Sequence, residues 1–215
     1  MKSEAKVLLI STLVGIAALA GIIVFANNAA PLVESQPVDP AVLVRQNSHQ
    51  TNTAPLKVTM VEFGDYQCPA CYLAHLSLKA VLKDYNNSVN FVYRNFPLSQ
   101  HANAMIAARA AEAAADQGKF WEMHDKLYET QQQWQDLPKP DDTFISYAKD
   151  LGLNADQFKS DIASTKYDAR INADRADGIA SGVNSTPTFY INNLKFKGAL
   201  SYGDFVKAIE EELKK

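Results

Sequence analysis

The chain has 215 residues, 47% of them apolar and 21% charged, with a formal net charge of −3. That is the balance of an ordinary globular protein with one main domain and enough apolar material for a proper core. No basic cluster accompanies it, so the electrostatic footprint of nucleic-acid binding is missing and that class is set aside.

The first thirty residues differ in kind from the rest. Lys2 and Lys6 precede an uncharged run from Val7 to Ala26. At about 1.5 Å per residue, that run extends about 30 Å, the thickness of a bilayer core. No Lys or Arg follows before Arg45. The positive-inside bias therefore predicts a single-pass protein anchored in the cell membrane through residues 7–26, with a cytoplasmic N-terminus and the remainder exported. Val24-Phe25-Ala26 also offers a small-residue cleavage site, which would release a secreted or periplasmic form after Ala26. Signal segments usually carry only about 7–15 apolar residues, so the length favours an anchor. Either way residues 1–30 place the body of the chain where a pair of thiols can persist as a disulfide.

Residues 31–55 are rich in Pro, Asn, Gln, Ser and Thr and read as a flexible tether, with Val42 to Arg45 as its one short edge strand. Lys57 to Phe63 is β-branched and apolar on both faces, the pattern of a buried central strand, and Gly64-Asp65 breaks it. A helix is predicted from Pro69 to about Tyr85, with Leu73, Leu76 and Ala80 at core spacing, and a second strand from Val89 to Tyr93. From about 99 to 182 the pattern is helical: Ala-rich from Ala104 to Ala115, resuming from Phe120 to Gln133, and broken by Pro138 and Pro140. Thr188 to Asn192 and Leu194 to Lys197 read as a hairpin turning at Asn192-Asn193. A last helix starts at Ser201, where Asp204 completes a capping box, and carries Phe205, Ile209 and Leu213 on one face.

The only two cysteines stand in Cys68-Pro69-Ala70-Cys71, at the start of the first long helix. A disulfide across so short a loop adds little to global stability and is strained and readily reduced, which points to chemistry. Thiol exchange needs a nucleophile of lowered pKa and a second thiol within bonding distance. A helix beginning at Cys68 supplies unpaired N–H groups and the positive end of a dipole to favour its thiolate, and Pro69 suits the first helical position. Zinc competes poorly for the pair: a closed site needs four ligands, the chain offers only His49, His75, His101 and His124, and no second CxxC or HxxxH accompanies them, so no metal site is assigned. Haem attachment is excluded because Tyr72 stands where histidine is required. Glu62, inside the first strand, is either turned to solvent at an edge or buried; burial would raise its pKa and fit it to pass protons to Cys71. The histidines and Phe120, Trp121 and Trp134 read as packing groups.

Three segments in this order carry a resemblance: Val61-Glu62-Phe63-Gly64-Asp65-Tyr66-Gln67 leading into CPAC, Gln117-Gly118-Lys119-Phe120-Trp121 with His124-Asp125, and Gly182-Val183-Asn184-Ser185-Thr186-Pro187-Thr188-Phe189. Over roughly Leu56 to Leu213 the chain resembles the DsbA-like branch of the thioredoxin superfamily. The resemblance implies an α/β thioredoxin-like fold over 56–215 with a helical insertion at about 99–182. It implies that Cys68 forms the mixed disulfide with a client and Cys71 resolves it. Pro187 would be cis and, with Thr186, present backbone to the client; Glu62 would be the buried acid. The partners implied are exported proteins with free cysteines and a membrane quinone-linked reoxidase, with no bound cofactor beyond the redox disulfide. The family's strong oxidases carry Pro-His between the cysteines, and here Pro69-Ala70 brings no imidazole to Cys68. A reductase or isomerase of the same fold, or a non-catalytic client-binding module, would share these features.

Overall fold

The computed structural model describes residues 33–34, 38–192 and 194–215. The anchor or signal segment at 1–30 lies outside them, and among the described residues no helix is long and apolar enough to cross a membrane.

A six-stranded mixed sheet organises the chain in the order β1-β6-β5-β3-β4-β2. Its strands are β1 (Val33–Glu34), β2 (His49–Gln50), β3 (Val58–Gly64), β4 (Val89–Asn95), β5 (Thr188–Ile191) and β6 (Leu194–Lys197). Strand β3 is central, parallel to β4 and antiparallel to β5. Both of its faces are covered, which is why it reads as a nearly continuous apolar run. Alternation along it sends Val58 and Met60 into the larger core and Val61 and Phe63 into the smaller one on the other face. Glu62 falls on the first of these faces and is fully buried.

The helices are α1 (Pro40–Leu43), α2 (Pro69–Asp84), α3 (Ala104–Ala115), α4 (Phe120–Glu129), α5 (Gln131–Trp134), α6 (Asp141–Asp150), α7 (Ala155–Ala163), α8 (Asp168–Ala180) and α9 (Tyr202–Leu213). The insertion between β4 and β5 is helical throughout, as its pattern predicts, and the capping box between Ser201 and Asp204 opens α9. Asn192 turns the β5–β6 hairpin with φ 50°, a conformation asparagine tolerates.

Two expectations change. Residues 38–55 are not a free tether: they hold α1 and β2, and Leu43 is buried in the smaller core. Val42 to Arg45 forms no strand, because the buried Arg94 guanidinium donates to the carbonyls of Val42 and Leu43 at 2.9 and 2.8 Å. Asp174 and Asp177 hold the same guanidinium at 2.6 Å each, so the long-range ion group, invisible to composition, fixes this segment. The second change is the phase of α2. Leu73 and Leu76 are 58% and 50% exposed, and Ala80 is exposed too. The inward stripe is Cys71, Ala74, His75, Leu78 and Val81. Both stripes have helical spacing; the need to bury Cys71 against β3 selects the second.

Candidate active site

Cys68 is the N-cap of α2 and Pro69 occupies the first turn, so the helix begins at the first cysteine. Both thiols are free. Cys68 is only 6% exposed and Cys71 fully buried one turn further in. Across from them the Thr186–Pro187 peptide is cis and opens β5. Thr186 faces Cys68 with two groups of opposite character. Its carbonyl oxygen accepts a hydrogen bond from the Cys68 thiol at 3.4 Å, while its buried hydroxyl, lacking another partner, can donate to the thiolate.

The electrostatics separate the two sulfurs. A hydrogen bond from the Cys71 thiol, then one from Thr186 and the backbone N–H groups of Cys71 and Ala70, bring the Cys68 thiol down from 9.0 to about 5, against an opposing effect of burial. The first-turn amides contribute as a helix N-terminus should, but the second cysteine contributes most. Burial pushes the Cys71 thiol far up, helped by the bond it donates to Cys68 and by the nearby Glu62 charge. The Asp65 N–H, at 3.5 Å from Cys71 Sγ, acts weakly the other way. Ala70 supplies only its amide, consistent with a dipeptide that brings no charged side chain.

Glu62 has neither carboxylate oxygen hydrogen-bonded, and burial, then the Cys68 charge, raises it from 4.5 to about 8. It sits under a ceiling of phenols formed by Tyr93 and Tyr128, whose hydroxyls lie 3.1 Å apart. Gly64 admits that ceiling. A Cβ there would stand 2.6 Å from the Tyr93 ring, 2.9 Å from a Glu62 carboxylate oxygen and 2.9 Å from the Tyr128 hydroxyl. Gly64→Ala should therefore cost about 1–3 kcal/mol through overpacking. Denaturant unfolding should show a lower midpoint at unchanged slope, and an unchanged midpoint would contradict the close packing.

Several supporting residues carry no signal that sequence reading found. Asp65 accepts from the amides of Gln67 and Leu98 at 2.8 and 2.9 Å and pairs with His101 at 2.8 Å, holding the turn before Cys68. Gln131, buried on α5, donates to the carbonyls of Tyr66 and Cys68 at 2.7 and 3.0 Å. Gln67 accepts from the Asn103 amide and donates to the Gln135 carbonyl. The helical insertion thus clamps the active-site turn through side-chain amides. Only the placement of Asp65 and Gln67 beside CPAC could have suggested it.

A helix capped by an activated thiol, with its partner buried behind and a cis-proline loop opposite, defines a dithiol centre on a thioredoxin-like fold. Residues 52–211 match the family described as Thioredoxin, and the chain belongs to that family. Among solved structures, a thioredoxin-like oxidoreductase from Silicibacter pomeroyi is 26% identical at a TM-score of 0.69, over 83% of this chain and 99% of that one. Oxidised BdbD from Bacillus subtilis is 26% identical at a TM-score of 0.68, over 77% of this chain and 92% of that one. A curated relative from Salinispora arenicola, described as Na(+)/H(+) antiporter NhaA 1, is 38% identical over 164 residues, 76% of this chain and 24% of that protein. The chain thus spans about a quarter of the length of the curated relatives it matches, and the antiporter name describes those longer proteins.

Proposed function

We propose that this protein is an extracytoplasmic thiol:disulfide oxidoreductase, tethered through residues 7–26, that donates disulfides to exported proteins. The observation that carries the reading is the contrast within the pair: Cys68 held down to about 5 at the helix start, Cys71 buried and pushed up behind it. Such a pair favours its dithiol form, so its disulfide is a good oxidant of other thiols. Kinship with solved proteins described as a thioredoxin-like oxidoreductase and as oxidised BdbD supports the same class.

In the proposed cycle a client thiolate attacks Sγ of Cys68, breaking the Cys68–Cys71 bond and leaving Cys71 as the departing sulfur. A second client thiolate attacks the client sulfur of the mixed disulfide and expels Cys68 as its stabilised thiolate. The client loses two electrons and two protons, and the enzyme dithiol gains the electrons. Extended client backbone would lie against Thr186 and Pro187. Glu62, the titratable group pressed on Cys71, would give that sulfur its proton and take it back when a quinone-linked membrane partner restores the disulfide.

Alkylation trapping of Cys68 and Cys71 in growing cells tests the direction. The oxidase reading expects the pair mostly oxidised; a reduced pair in cells that fold exported proteins normally would assign the domain to a reductase or isomerase. Protease added to intact spheroplasts should digest the domain while the N-terminus stays protected, and a protected domain would overturn the compartment. Glu62→Gln tests the proton role. It should slow reoxidation of the dithiol about 10²-fold at pH 7, the usual order for a lost general base. The same change should flatten the pH dependence of stability. A carboxyl raised to about 8 destabilises the fold progressively as pH rises from about 4.5 to about 8, and glutamine does not titrate. Unchanged reoxidation with a flattened stability curve would leave Glu62 a buried acid without a catalytic task.

A further inference from the structure

Behind the dithiol lie two histidines that the exchange chemistry does not use. His75 follows Cys71 by one turn of α2 and His124 projects from α4; they are 3% and 2% exposed. Their rings meet edge to face with centroids 5.5 Å apart. Nδ1 of His124 lies 3.1 Å from the Tyr66 hydroxyl, and in the tautomer whose Nδ1–H donates to that oxygen Nε2 carries the lone pair. Nε2 of His75 is buried without a hydrogen-bond partner. The nearest carboxylate oxygen, Oδ1 of Asp125, is 3.8 Å away, too far to satisfy it. A buried, unpaired ring nitrogen is costly, and this one faces a cavity of about 200 Å³ that His75, His124 and Asp125 line together with Leu78, Phe91 and Trp121. One ligand atom from each of the three residues lies within 4.8 Å of the other two.

We propose that His75, His124 and Asp125 form a binding site for one divalent transition-metal ion of the imidazole-preferring kind, with zinc as the reference ion. Two imidazoles and one carboxylate are a donor set that such ions favour, and three protein ligands leave a fourth position open to water within the cavity. The Tyr66 hydroxyl on Nδ1 of His124 fixes that ring, as an outer partner does in metal sites.

One group opposes the ion. Lys79 Nζ lies 2.9 Å from Oδ2 of Asp125, and its charge would repel a cation. Lys79 is 53% exposed and also paired with Glu129, so it can keep that partner while Asp125 turns Oδ1 inward. Asp125, itself 39% exposed, has room for the turn that bonds of about 2.0–2.2 Å require.

This site is independent of the oxidoreductase reading, and its test removes the thiols. The full chain carrying Cys68→Ala and Cys71→Ala, shown folded by circular dichroism, is titrated with Zn2+ in a calorimeter and with Co2+ in a spectrophotometer. The expected result is one ion per chain, with visible cobalt bands and no sulfur-to-cobalt absorption in the near ultraviolet. In this background His75→Ala and Asp125→Asn should each weaken binding by about 10-fold or more, an effect outer partners alone can reach, while Lys79→Met should tighten it. Asp125 and Lys79 lie at the surface, so those variants keep the fold. Absence of stoichiometric binding by the folded chain would overturn the proposal. So would binding indifferent to both His75→Ala and Asp125→Asn, or binding seen only while the cysteines are present, which would place the metal on the dithiol.

Discussion

Cys68→Ser should reduce insulin-disulfide reduction by the full-length protein by at least about 10³-fold, whereas Cys71→Ser should leave the first attack intact and accumulate mixed disulfides through Cys68. With a pKa of about 5, Cys68 is almost wholly thiolate at pH 7. A serine hydroxyl there is neither ionised nor able to form the bond that is exchanged. Cys71 cannot substitute, because it is fully buried and its thiol is pushed far above 9.0. Lowering the pKa from 9.0 to about 5 raises the thiolate fraction at pH 7 about 10²-fold and costs about as much in intrinsic nucleophilicity, so the advantage lies in Cys68 as the leaving sulfur, which departs faster at low pKa. Alkylation at about pH 6 followed by peptide mapping checks the assignment: Cys68 should be labelled and Cys71 spared. Preferential labelling of Cys71, or a Cys68→Ser protein with more than about a tenth of normal activity, would reverse the roles.

Dithiothreitol should raise the thermal midpoint of the protein at pH 8 and lower it at pH 5. Two effects compete. In the disulfide form, closing a four-residue loop restricts the unfolded chain and favours the folded state by about 2 kcal/mol, the entropic estimate for so short a ring. In the dithiol form, the folded state gains from the thiolate it stabilises. A group depressed from 9.0 to about 5 contributes stability that is complete above the unfolded value and lost as pH falls through about 5. At about 1.4 kcal/mol per unit, that contribution is about 4 kcal/mol at pH 8, about 3 at pH 7 and under about 1 at pH 5. The raised carboxyl of Glu62 titrates in both redox forms, so its burial largely cancels from the comparison. The balance should reverse near about pH 6.5. With about 2–4 °C per kcal/mol for a chain of this size, the reduced form should melt about 4–8 °C higher at pH 8. Cys68→Ala, which has neither disulfide nor activated thiolate, should show no response to dithiothreitol. An oxidised form more stable at pH 8 would turn the reading towards a reductase.

The parts of this molecule legible in its residues are those that local physics decides. The turn residues at Asn192, the capping box at Ser201 and Asp204, the two-faced apolar run of β3 and the helix start at Cys68 and Pro69 each depend on neighbours within a few positions. The same holds for the pairing of two cysteines one turn apart. The family resemblance carried by motif order implied the cis geometry at Pro187 and the buried place of Glu62, as the fold has them.

What the residues left open, packing settled. Glu62 had two fates, edge or interior, and pairing of β3 with both β4 and β5 chose the interior. On α2, two apolar stripes of equal spacing competed, and the one carrying Cys71 turned inward, leaving Leu73 and Leu76 to solvent. Arg94, a charge near the end of β4, became the anchor of residues 38–55 only because Asp174 and Asp177 on α8 reach it. Contacts of this kind join positions 63 apart, as Gln131 does to Cys68, or 118 apart, as Cys68 does to Thr186. No local propensity encodes them, since each forms only when distant elements close around the same turn; Thr186 adds to the local Cys71 and first-turn contacts that lower Cys68, while burial raises Cys71.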